Sequence, residues 1–207
     1  MSLEPYLEGE LLEADVAWEP WTPEEVAQQL SGTSALWYVV AGWALDLFIG
    51  RQSRPHDDIE IGVPARSFPE IRMAFDEYDF DVVDSGRRWP LSSGTFESTF
   101  QTWLRDSNTG VYHLDVFRDP HVGSEWICRR DERVRMSFSK LTCYSGTGIP
   151  YMSPEVVLLF KAKHLREKDQ ADFERVLPLL DDQQVEWLRV NLELVHPGHT
   201  WAEVLQR

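Results

Sequence analysis

Residues 38–63 read YVVAGWALDLFIGRQSRPHDDIEIGV, and no other stretch restricts the fold so tightly. Residues 36–40 are apolar, with β-branched and aromatic content, and predict a short buried strand. Gly42 follows at its end, residues 43–49 suit one or two helical turns, and Gly50 closes them. Residues 51–56 form a polar, basic loop. In the second strand, residues 58–63, Ile59, Ile61 and Val63 share one face while Asp58, Glu60 and Gly62 share the other. The stretch commits the chain to a strand–helix–strand unit with two carboxylates on one face of its second strand.

The remaining segments must be built around that unit. Residues 1–21 are rich in Glu without periodicity and read as an N-terminal arm. Thr22-Pro23-Glu24-Glu25 then starts a helix: Thr22 caps, Pro23 suits the first position and Glu25 completes a capping box. Ser67-Phe68-Pro69-Glu70 has the same form and predicts a helix running to about Tyr78. Strands are expected over residues 80–83, 96–104 and 111–117, with a hairpin turn at Ser107-Asn108-Thr109-Gly110. Residues 133–138 and 149–152 extend that sheet. Helices follow from the Ser153-Pro154 start, over 169–180, from an Asp181 cap to Leu194, and from Pro197. The order describes an α+β fold, a mixed sheet flanked by helices with a helical C-terminal part.

Composition narrows the function. With 20 basic and 35 acidic residues the net charge is −15, which disfavours nucleic acid and favours a cationic small molecule. The apolar runs are too short to span a bilayer, and no secretory signal opens the chain. Two cysteines, Cys128 and Cys143, without metal-type spacing fit reduced thiols in the cytoplasm.

Asp58 and Glu60 stand about 6.5–7 Å apart along their strand, and their oxygens suit hard divalent cations. Asp115, in YHLDVF, is a carboxylate inside an apolar strand and is costly to bury without a partner. If its strand neighbours residues 58–63, the three carboxylates can hold one or two Mg2+ ions, and Asp115 can take a proton from a substrate hydroxyl. Gly42, between strand and helix, lets backbone approach a phosphate, and Arg54 and His56 can neutralise it.

The segment AGWALDLFIGRQSRPHDDIEI resembles the core motif of polymerase-β-like nucleotidyltransferases, most closely the aminoglycoside 2''-O-nucleotidyltransferase and lincosamide nucleotidyltransferase branch. That pattern runs Gly-Gly-Trp-Ala-hydrophobic-Asp, Gly-Arg, Thr-Arg, His, then Asp-Asp-Ile-Asp. Two positions depart from it: Ala41 stands where a Gly is usual, and Glu60 replaces the last Asp. The tail segment FKAKHLREKDQADF resembles the Lys-rich helix pair that follows the sheet in minimal nucleotidyltransferases.

The resemblance implies Asp58, Glu60 and Asp115 as metal ligands for two Mg2+, with Asp115 also the catalytic base. It places Gly42, Trp43, Arg54 and His56 at the nucleotide, ATP or another NTP, with Lys161 or Lys163 on the triphosphate. It implies a nucleotidyltransferase domain over residues 22–152 and a helical subdomain over 153–207, in a family whose branches include oligomers. The expected reaction moves AMP from ATP to a hydroxyl of a small, cationic, aminoglycoside-like molecule. Two other readings stay open: a toxin-like transferase acting on a protein or tRNA, and a nucleotide-binding module without turnover.

Overall fold

The computed structural model describes residues 9–12 and 16–206. The chain begins with β1 (Glu10–Leu11), then α1 (Pro23–Gln29), whose start is the predicted capping box. Thr22 Oγ1 accepts from the Glu25 amide at 3.2 Å, and the Thr22 amide donates to the Glu25 carboxylate at 2.7 Å. β2 (Tyr38–Val39) leads into α2 (Ala41–Ile49), which ends at Gly50 in the left-handed conformation, φ 82°. Next come β3 (Glu60–Pro64), α3 (Phe68–Ala74), β4 (Tyr78–Asp84), β5 (Arg87–Pro90) and α4 (Thr95–Ser98). β6 (Gln101–Asp106) and β7 (Tyr112–Asp119) pair as the predicted hairpin. Its turn is held by the Asp106 carboxylate, which accepts from the Asn108 and Thr109 amides. β8 (His121–Val122), β9 (Glu125–Ile127), β10 (Arg135–Ser137), α5 (Phe138–Leu141), β11 (Thr142–Tyr144) and β12 (Pro150–Met152) follow. The tail is α6 (Pro154–Lys161), α7 (Glu167–Val176), α8 (Asp182–Val195) and α9 (Trp201–Val204). This is the expected α+β order with a helical C-terminal part.

Several local expectations fail for identifiable reasons. No capping box forms at Ser67, because a 3-10 turn over Ala65–Ser67 already gives that residue a helical backbone. Glu70 is instead engaged by the Ser34 hydroxyl at 3.0 Å. α3 stops at Ala74 and Tyr78 begins β4, so the helix ends short of the expected Tyr78. The strand expected over residues 96–104 is shortened at its start by the helical turn of α4. Residues 135–137 do not extend the main sheet; they form a three-stranded sheet with β9 and β8. The last helix starts at Trp201, not at Pro197.

Two compact units result, each assembled from separated stretches of chain: residues to Trp37 with Asp57–Asp119, and Tyr38–His56 with Pro120 onward. In the first unit the sheet order is β1-β5-β4-β6-β7-β3. Its neighbours are antiparallel except β3, which runs parallel to β7. Ile59, Ile61, Val63, Leu114 and Val116 are completely buried, as the alternation along the β3 segment and β7 requires, and Val26 of α1 is completely buried too. The described parts of the arm are tied to this sheet: Glu10 pairs with Arg88, and Trp18 bridges Tyr112. Residues 1–8 and 13–15 of the arm lie outside the described residues.

The second unit has β2-β12-β11, with β12 parallel to β2 and antiparallel to β11. α2 packs on α6, α7 and β12, and α6 packs on α8. The residues Val156 to Leu159 of α6 are all buried, so this helix is an inner one, apolar on every side. Among the described residues no helix is long and apolar enough to cross a membrane.

Candidate active site

In the first unit β3 and β7 run in parallel register with Glu60 opposite Asp115. Parallel neighbours lie about 4.8 Å apart, so these two carboxylates share one face of adjacent strands. The Asp115 amide donates to the Ile59 carbonyl at 2.9 Å, which fixes the register between the two acidic residues of the β3 segment. Asp58 lies just ahead of β3 and is exposed; Glu60 is half-buried; Asp115 is 4% exposed. Gln101, on β6, donates to Asp115 Oδ2 at 2.5 Å. Asp115 Oδ1 is buried and has no hydrogen-bond partner.

The electrostatics follow from that inventory. Burial pushes the Asp115 carboxyl well above the ordinary value, the Glu60 charge pushes it further, and Asp58 adds to both. The hydrogen bond from Gln101 opposes the shift but does not overcome it. A buried carboxylate oxygen under the repulsion of two other carboxylates is one that a cation would stabilise. Among the described residues no group of three or more His, Cys, Asp and Glu side chains is gathered into a ready metal cage. The donor chemistry nevertheless fits a hard divalent cation: all three groups offer oxygen, and one buried oxygen is unspent.

In the second unit the residues expected at a nucleotide form a connected network. On α2, the Asp46 carboxylate accepts from Ser53 Oγ at 2.5 Å and from His56 Nε2 at 2.7 Å. Burial alone would raise the Asp46 carboxyl, but the bonds from His56 and Ser53 outweigh it and hold it below the ordinary value. Arg54 Nη1 lies 3.1 Å from His56 Nδ1. A guanidinium can only donate, so Nδ1 accepts and the ring proton sits on Nε2, facing Asp46. Trp43 stacks on the other side of this arrangement, its ring 4.3 Å from that of His56.

Gly42 also meets a steric demand. It lies inside α2, and a Cβ there would stand 2.4 Å from Arg54 Nη2 and 2.7 Å from His56 Cε1. The absent side chain makes room for Arg54 and His56. The left-handed residue at this turn is Ala41, φ 54°, which accounts for the glycine usual at that position.

Arg54 also reaches Asp172 on α7, at 3.4 Å. Asp172 is 2% exposed and is shared by Lys161 at 2.9 Å and Arg175 at 3.0 Å. Lys161 bonds Asp169 as well, at 3.1 Å, and Asp169 is completely buried. Burial raises the Asp169 carboxyl, while Arg166 and Lys161 lower it by more. Lys161 is therefore held by two carboxylates within its own unit, whereas Lys163 is exposed past the end of α6.

The model of the aminoglycoside-2''-adenylyltransferase family matches residues 24–176. The chain belongs to this family. It is an enzyme of the nucleotidyltransferase type. A crystal structure of a lincosamide antibiotic adenylyltransferase with lincomycin bound is 18% identical. Its TM-score is 0.56 over 78% of this chain and 100% of that one, which shows the shared fold. A crystal structure of ANT(2'')-Ia in complex with adenylyl-2''-tobramycin is 14% identical, with a TM-score of 0.47 over 88% and 91% of the two chains. No curated protein matches the sequence.

Sequence reasoning gave no role to Asp46, Ser53, Gln101, Asp169 and Asp172. Asp46 carries a signal, since it is the lone charge in the apolar run AGWALDLFI. Asp169 and Asp172, three apart on one helix, read as solvated positions until α6 supplies Lys161 opposite them.

Proposed function

We propose that this family member transfers AMP from ATP to a hydroxyl of a cationic small molecule, an aminoglycoside-like antibiotic being the first candidate. The observation that carries the reading is Asp115: a buried carboxylate with one unspent oxygen, in register with Glu60, its carboxyl raised first by burial and then by the Glu60 charge. Asp58, Glu60 and Asp115 would hold Mg2+, two ions by family resemblance. When bound, these ions neutralise the charge that builds on the attacking and leaving oxygens.

Asp115 takes the proton of the acceptor hydroxyl. The hydroxyl oxygen forms a bond to the α-phosphorus, and the bond from that phosphorus to the bridging oxygen breaks, releasing pyrophosphate. Gln101 fixes one Asp115 oxygen and leaves the other to act. Arg54 supplies phosphate donors, since among the described residues Nε has no acceptor and Nη2 makes no bond besides that to Asp172. Trp43 and His56, stacked together beside Gly42, keep that guanidinium in place, and exposed Lys163 offers a further cation. We assign the transfer domain to residues 22–152 and a supporting helical subdomain to 153–207. The free thiols of Cys128 and Cys143 support a cytoplasmic enzyme, and the net charge of −15 supports a cationic acceptor.

Incubating the protein with ATP, Mg2+ and a panel of aminoglycosides and lincosamides, followed by mass spectrometry, tests the reading. The expected product is one acceptor carrying one AMP, absent with Asp58→Ala. No adduct across the panel rules out the antibiotic acceptor. Adduct formation that survives Asp58→Ala rules out the carboxylate site.

A further inference from the structure

We propose that Asp172 is a positioning residue for nucleotide binding, acting through Arg54, and that the cluster around it presets the phosphate-binding guanidinium before substrate arrives. The inference rests on the nucleotide role of Arg54 proposed above.

The five N–H groups of Arg54 can be accounted for one by one. Nη1 donates to the Pro55 carbonyl at 3.0 Å and to His56 Nδ1 at 3.1 Å, which uses both its protons. Nη2 donates one to Asp172 Oδ2 at 3.4 Å. Among the described residues the buried Nε proton has no acceptor and Nη2 makes no bond besides that to Asp172. A guanidinium with three bonds to fixed partners has lost its rotamer freedom, and the two protons left over are those an anionic oxygen can accept.

Each fixed partner is itself anchored. His56 is held by Asp46 at 2.7 Å, and Gly42 leaves the space into which both side chains fit. Asp172 is held from the opposite side by Lys161 and Arg175, and Arg175 continues to Ser53 Oγ at 3.2 Å. Ser53 closes the circuit on Asp46 at 2.5 Å. The chain from Asp46 through His56, Arg54, Asp172, Arg175 and Ser53 returns to Asp46 as one ring of hydrogen bonds. A ring with Arg54 as a member fixes that side chain far better than one ion pair would. The contact from Asp172 to Arg54 is the longest of its three, and it takes one Nη2 proton while leaving Nε unengaged.

The test is binding of a non-hydrolysable ATP analogue with Mg2+ to the full chain, by calorimetry, with melting temperature measured alongside. Arg54→Ala is expected to weaken binding about tenfold or more, the loss of one charge-assisted contact. Asp172→Asn, which keeps the shape, is expected to weaken it about tenfold in the native background and by less than twofold in an Arg54→Ala background. Arg175→Gln removes a neighbour of Asp172 that does not touch Arg54. It is expected to lower the melting temperature with a smaller binding loss than Asp172→Asn. If Asp172→Asn destabilises the chain too far to measure, Asp172→Glu takes its place in the same cycle. Equal losses in the two backgrounds, or unchanged binding with Asp172→Asn, overturn the positioning role. Unchanged binding with Arg54→Ala instead overturns the nucleotide reading on which it rests.

Discussion

Asp115 and Asp172 are the same residue type, buried to nearly the same degree, 4% and 2% exposed, and their surroundings are opposite. Three cations, Lys161, Arg54 and Arg175, meet Asp172. Asp115 has only neutral side chains to oppose its shift, Gln101 and Trp103, and two carboxylates that repel it. The contrast is electrostatic: the first unit's acidic cluster is self-repelling, while Asp172 is neutralised within its own unit by the side chains it holds together.

The largest expected effect comes from removing the unsatisfied charge. Asp115→Asn should lower the rate of AMP transfer by roughly 10²–10⁴-fold, the range for losing a positioned general base. The same substitution should raise the melting temperature of the metal-free protein, because it deletes a repelled buried charge. The corresponding change in the other region has the opposite sign. Asp169→Asn leaves Lys161 and Arg166 without a full counter-charge and should destabilise the chain by about 3–5 kcal/mol, measured by denaturant unfolding. A higher melting temperature with Asp169→Asn, or a lower one with Asp115→Asn, breaks the comparison.

Acid should separate the two regions as well. The folded Asp115 carboxyl lies above its unfolded value, so the native state binds its proton more tightly. The penalty from Asp115 is then full above the folded pKa and is relieved as pH falls toward the ordinary carboxylate range. The folded Asp46 and Asp169 carboxyls lie below their unfolded values. Their stabilisation is full above the ordinary carboxylate range and is lost as pH falls through the folded values. In EDTA, the stability gap between Asp115→Asn and the native protein should therefore shrink as pH drops, and the gap for Asp169→Asn should shrink only at more acid pH. Thermal melts across a pH series check both.

What the sequence made legible divides along the same line. Local signals were accurate where one residue and its near neighbours decide the outcome: the Thr22 capping box, the Gly50 stop, the hairpin before Tyr112 and the alternation of β3. The in-register pairing of Glu60 with Asp115 was framed only as a condition, since strand neighbours are a tertiary choice. The Ser67 box fails because the preceding 3-10 turn gives Ser67 a helical backbone, and Glu70 is engaged by Ser34, more than thirty residues earlier. The ring through Asp46, Ser53, Arg54, His56, Asp172 and Arg175 was invisible as a whole. Its two halves, Asp46 to His56 and Asp172 to Arg175, are more than a hundred residues apart, and charges at helical spacing read as solvated until their partners are known. The two units escaped notice for the same reason, since each is built from separated stretches.

A smaller effect probes the contact that sets Arg54. Gly42→Ala places a methyl 2.4 Å from Arg54 Nη2 and 2.7 Å from the His56 ring, so one of these side chains must shift. Overpacking of this kind costs about 1–3 kcal/mol, and binding of the ATP analogue should weaken along with stability. Stability loss with unchanged nucleotide binding would separate packing from preorganisation at this position.

The smallest expected effect lies one residue earlier and has the opposite sign. Ala41 holds φ at 54°, a left-handed conformation that costs an L-residue with a Cβ roughly 1–2 kcal/mol relative to its usual backbone. Glycine pays no such steric cost, but it loses more conformational entropy on folding, about 0.5–1 kcal/mol relative to alanine. The two terms oppose each other, so Ala41→Gly should stabilise the chain by no more than about 1.5 kcal/mol. Because Ala41 opens α2, which carries Gly42, Asp46 and their partners, relief of strain there should leave the ring of hydrogen bonds intact and nucleotide binding within twofold of native. Chemical denaturation and calorimetry on Ala41→Gly and Gly42→Ala, side by side, then compare two adjacent positions with contrary demands. One tolerates a side chain against its backbone preference, and the other excludes a side chain because Arg54 and His56 occupy its space. A destabilised Ala41→Gly would show that entropy outweighs the strain at this turn.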